Sequence, residues 1–128
     1  MAILQHPKPS SRTFATLSMS TGASGASEVI NISGLTLSCI QMSTAWTDAR
    51  IGFQGDVNAS GNYYDIYDTN GDFLTFATSA SRIIVFDPAV FAGIQILKLV
   101  SETSAGVAVA QAATRTFRLG LAEYVKAD

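Results

Sequence analysis

The sequence predicts an all-β domain, an antiparallel β-sandwich of jelly-roll type with about eight strands. Three observations lead there. Apolar residues recur at every second position in short runs, as in strands with one buried face. Glycine, asparagine and aspartate interrupt those runs at short intervals. No stretch keeps helical periodicity long enough to cover a sheet, so one sheet must pack on another.

The elements follow in chain order. Residues 1–12 hold two of the three prolines, and the steps His6-Pro7 and Lys8-Pro9 favour extended backbone. This segment reads as an extended N-terminal arm ahead of a single domain over 13–128. Residues 18–27, SMSTGASGAS, read as a loop, being small and interrupted by glycine. From Glu28 the period is two: Val29, Ile30 and Ile32, then Leu35, Leu37 and Cys39, then Ala49, Ile51 and Phe53. Tyr64 and Ile66 continue the pattern, and Asn70-Gly71 between 63–68 and 72–77 signals a tight hairpin, because both residues tolerate positive φ. The run Ile83–Phe86 suits a strand buried on both faces. Residues 88–93 have room for one helical turn, and Ile94–Ser101 resumes β composition. Residues 102–106 form a turn, Val107–Ala113 is short enough to be a strand despite its alanines, and Phe117, Leu119 and Leu121 supply a last strand. The expected core is Ile51, Phe53, Ile66, Val85, Ile96, Leu99, Phe117 and Leu119.

Composition narrows the function. The chain has 128 residues, 48% of them hydrophobic and only 14% charged, against roughly 25% charged in an average soluble protein. That is ample material for one core, and a surface this poor in charge suits burial against partners. With a net charge of −2, no affinity for nucleic acid is expected. No apolar run reaches the length of a membrane span, and the first residues lack a secretion signal, so synthesis in a cytoplasm without export is expected. One histidine and one cysteine exclude a Cys/His zinc site and an intrachain disulfide framework.

Chemistry-bearing residues are few. His6 sits in the arm with nothing beside it in sequence to orient its ring for catalysis. Cys39 alternates with apolar residues and reads as core. Asp68, Asn70 and Asp72 recur at every second residue, but the sixth and twelfth positions of a calcium loop starting at Asp68 would be Phe73 and Ser79. A solvated turn explains these acids better. No carboxylate pair is singled out for glycoside hydrolysis. No catalytic residue, cofactor or metal is expected. Trp46, Tyr63 and Tyr67 are candidates for stacking on sugar rings, which keeps a carbohydrate-binding module for a host-surface glycan as the alternative reading. In the arm, Ile3 and Leu4 are candidate apolar anchors, with Pro7 and Pro9 limiting the entropy lost on docking.

The passage Gln41-Met42-Ser43-Thr44-Ala45-Trp46-Thr47-Asp48-Ala49-Arg50-Ile51-Gly52-Phe53-Gln54, followed by Tyr64-Asp65-Ile66-Tyr67-Asp68 and Asn70-Gly71, resembles small proteins from the structural gene modules of tailed phages and phage-like gene-transfer particles. Arg82-Ile83-Ile84, Asp87-Pro88, Phe91-Ala92-Gly93, Leu97-Lys98-Leu99 and Val109-Ala110-Gln111-Ala112-Ala113 extend the resemblance over about residues 28 to 121. It implies a virion β-sandwich without enzymatic activity, of the kind that decorates capsids or forms head spikes and fibre attachments. The implied partners are further copies of the chain, a trimer by analogy, and the major capsid or another virion protein. At Val100-Ser101-Glu102 the chain departs from that pattern, where the related proteins carry a more basic turn, so contacts made by that turn are not carried over.

Overall fold

The computed structural model describes residues 13–22 and 25–123. The chain is all-β and antiparallel. Its strands are β1 (Thr13–Met19), β2 (Ala26–Asn31), β3 (Thr36–Gln41), β4 (Arg50–Asp56), β5 (Tyr64–Asp65), β6 (Thr75–Phe76), β7 (Ile83–Val85), β8 (Ile96–Glu102) and β9 (Arg115–Ala122), with a 3-10 turn at Pro88–Phe91 before β8. Hydrogen bonding runs through one sheet in the order β5-β4-β8-β2-β1-β9-β3-β7, and β6 also pairs with β4. The sheet curls into a half-barrel. Where two separate sheets are expected, the halves are joined by β1 and β2, which share the register pair Met19↔Ser27.

The core lies inside the curl. Ile51, Phe53, Leu99, Phe117 and Leu119 are buried as expected, and Ile66 and Ile96 are half-buried. Val85 is a correction, because it is 76% exposed. β7 closes one end of the strand order and pairs only with β3 among the described residues, so its side chains alternate. Ile84 packs on the core, while Ile83 and Val85 point outward. An apolar run alone does not distinguish a central strand from an edge strand whose outer face is also apolar.

The loop expected over 18–27 is shorter than its composition suggests, since β1 runs to Met19 and β2 begins at Ala26. Small residues are held in strands here by their neighbours: β1 pairs along its whole length with β9, and tertiary pairing overrides weak local preference. The strand expected over Val107–Ala113 does not form. The bridge Glu102↔Ala108 and the backbone bond from Val109 N–H to Ser101 O at 2.8 Å help to fasten that segment to the end of β8.

The turn at Asn70-Gly71 closes as expected but with different geometry. The Gly71 N–H donates to Asp68 O at 3.1 Å, Asp68 N–H donates to Asp72 O at 2.8 Å, and Tyr67 bridges Phe73. Gly71 has φ +86, whereas Asn70 is not among the positive-φ residues. The loop is therefore a three-residue turn ending in a left-handed glycine, and the two-residue primed turn would need positive φ at both positions. A Cβ at Gly71 would meet open space, so Gly71→Val is expected to cost only backbone strain, about 1–2 kcal/mol. Chemical denaturation measures this, and an unchanged midpoint would contradict it.

Candidate functional site

Two features of the outward face stand out. The first is a row of side chains that the register sets across the sheet. Phe14 of β1 pairs with Gly120 of β9, Gly120 with Cys39 of β3, and Cys39 with Val85 of β7. Ile83, beside this row, pairs with Gln41. Phe14, Ile83 and Val85 are 66%, 60% and 76% exposed. A Cβ on Gly120 would collide with the Cys39 sulfur, so the missing side chain is what lets Cys39 lie across the sheet. The result is a shallow cleft of about 310 Å³ lined by Phe14, Cys39, Gln41, Ile83, Arg118 and Gly120, with Leu119 at its base.

The second feature is the carboxyl group of Glu102 at the end of β8. Glu102 pairs with Arg50, yet the Arg50 guanidinium turns to Thr75, bonding Oγ1 at 2.8 Å and the carbonyl at 3.2 Å. The Glu102 carboxyl lies instead against Gly52, where a Cβ would collide with Oε2. Asp65 stands nearby on the same face and accepts a bond from Gln54 Nε2 at 3.1 Å. Glu102 is only 4% exposed. Burial first, and the Asp65 charge second, push its pKa up to about 7, because an ion without solvent or a partner is costly. The acid keeps a proton near neutrality but is too covered to meet a substrate. Sequence alone places Glu102 in a turn; the signal that could have found it is an acid that directly follows the strand-like run Ile94–Ser101.

A different carboxylate shows how a buried acid is satisfied. Burial alone would raise the pKa of Asp56. However, it accepts bonds from Asn58 N–H at 3.1 Å, Gly61 N–H at 2.9 Å and the Ser60 hydroxyl at 3.2 Å, and these hold it below its ordinary value. Asp56 thus closes the turn after β4. Gln111 and Arg115, also buried, form a comparable network that sequence reading misses. Gln111 Nε2 donates to Ser101 Oγ at 2.8 Å and Thr47 O at 3.1 Å, and its Oε1 accepts from Thr47 N–H at 2.8 Å and Arg115 Nε at 3.0 Å. These bonds set the path of the Val107–Ala113 segment in place of a ladder.

The residues singled out from sequence are not brought together. Trp46 packs edge-on against Phe117 at 5.7 Å, and its indole N–H donates to Ala49 O at 3.1 Å. The Lys98 ammonium lies over the Tyr63 ring at 4.6 Å. Tyr67 lies against Phe73 at 4.7 Å. Asp68 Oδ1 accepts from Asn70 N–H at 2.8 Å and Asp72 N–H at 3.0 Å, the turn role expected of it. Among the described residues no group of three His, Cys, Asp or Glu side chains is placed to hold a metal ion. Cys39, expected in the core, is half-buried at the outward cleft. Ile3, Leu4, His6, Pro7 and Pro9 lie outside the described residues. No family model, curated protein or solved structure matches this chain.

Proposed function

We propose that the chain is a non-enzymatic structural subunit of a phage or phage-like particle, a capsid decoration or the base of a head spike or fibre. In this reading it associates with copies of itself as a trimer and docks on another virion protein. The observation that carries the proposal is the pair of exposed apolar side chains Ile83 and Val85 on β7, whose outer edge pairs with no strand among the described residues, with the exposed Phe14 further along the same face on β1. Large apolar side chains grouped at an open strand edge invite pairing with another chain, and such a surface is stable where a partner covers it. A surface with few charges supports the same reading, because charged residues are depleted at the centres of interfaces.

The test is a double variant, Ile83→Lys with Val85→Asp. Both side chains are exposed, so the melting temperature is expected to stay within a few degrees, the size of a surface change. Self-association measured by light scattering is expected to weaken by roughly tenfold or more, since two charged groups would have to be desolvated at an apolar contact. Wild-type protein that stays monomeric at high concentration and is absent from purified particles would overturn the proposal.

A further inference from the structure

We propose that the cleft over Gly120 on one copy receives Ile3 and Leu4 from the N-terminal segment of a second copy. The inference rests on the assembly reading and names the contact that makes it. The cleft has the chemistry for such side chains: Phe14 and Ile83 form apolar walls, and Cys39 lies over Gly120 between them. The chain leading into it also fits. Residues 1–12 run directly into β1 at Thr13, next to Phe14, and Ile3 and Leu4 are their only adjacent pair of large apolar residues after Met1.

Reach argues for a neighbour over the same copy. From Leu4 to Thr13 an extended chain covers ~30 Å, and the steps into Pro7 and Pro9 favour that extension. Val85 lies across the pairings β1-β9, β9-β3 and β3-β7 from Phe14, only ~14 Å at the usual strand spacing. A segment that kept this extension would pass its own cleft and be long enough to meet that of a neighbouring copy. Preset extension also reduces the entropy lost on docking.

Cys39 is the only cysteine, which makes the contact directly testable. In full-length Ile3→Cys protein under mild oxidation, the expected product is a disulfide between position 3 of one chain and Cys39 of another, seen as covalent dimer and trimer bands without reductant; this 3–39 link is absent from Ile3→Cys with Cys39→Ser. Peptide mapping identifies the linked positions. A link within one chain would show the segment covering its own sheet and overturn the exchange. A Cys39–Cys39 link in wild-type protein would show two sheet faces meeting directly, and would also overturn it. Loss of any link while light scattering still shows an oligomer would sink this inference and leave the assembly reading standing, whereas a monomer without links would end both.

Discussion

Replacing Phe53 by alanine is expected to cost about 3–5 kcal/mol of folding stability, the largest effect of any single truncation considered. Phe53 is 1% exposed and is the hub of the aromatic core. Its ring meets Phe91 at 4.8 Å, Phe86 at 5.8 Å and Phe76 at 5.9 Å, each edge-on. These partners come from β6, from the residue after β7 and from the 3-10 turn, so one ring ties both ends of the curled sheet together. Aromatic pairs in this geometry contribute beyond area burial. Because several rigid rings surround the void, it would not collapse fully. Urea unfolding of purified Phe53→Ala against wild type measures the change, and a loss below about 1 kcal/mol, the range of surface substitutions, would mean that the ring is not the hub described.

Glu102 is expected to make the protein less stable as the medium is made more alkaline between about pH 4.5 and 7. The folded chain holds this proton up to about pH 7, against an ordinary value of 4.5. The unfolded chain releases it at the lower pH. Between those values the unfolded state binds fewer protons than the folded one, so stability falls as pH rises through the window and levels off above it. A pH unit is worth at most roughly 1.4 kcal/mol, and solvent screening of the carboxyl reduces this, so the loss is on the order of 1–2 kcal/mol. Glu102→Gln keeps the shape that fills the space over Gly52 and removes the charge. The variant is expected to be the more stable protein at pH 8, to match wild type near pH 4, and to lose this slope. Asp56 works in the opposite sense: its contribution is present above the ordinary carboxylate range and fades as acid protonates it. Denaturation curves at several pH values for both proteins separate the two, and a wild type and Glu102→Gln with parallel pH profiles would refute the role of Glu102.

Much of the fold is legible in the residues, for local reasons. Alternation marks Ile51 and Phe53, or Phe117 and Leu119, because a strand's side chains point to opposite faces whatever the rest of the chain does. Asp87-Pro88 allows only a short helical turn, and Gly71 takes the left-handed conformation that its lack of a Cβ permits. Asp68 likewise satisfies its own turn. The poverty in histidine, cysteine and charge bears on function without any coordinates.

Only the tertiary structure decides which faces are covered. Val85 and Leu99 look alike in sequence, yet among the described residues one belongs to the last strand in the order and the other lies between β4 and β2, and edge or centre is settled by strand order. Ser18 and Met19, expected in a loop, are held in the strand because β9 pairs along it. The cleft needs Phe14, Cys39, Ile83 and Gly120, which are far apart in sequence and meet only through register. Glu102 acquires its raised pKa the same way, since it is buried in the space that Gly52 leaves and the like charge of Asp65 disfavours its ionisation. Sequence determines the alternation and the turns because these depend on neighbours within a few residues. Burial, register and charge environment depend on long-range pairings, and those exist only once the sheet has curled.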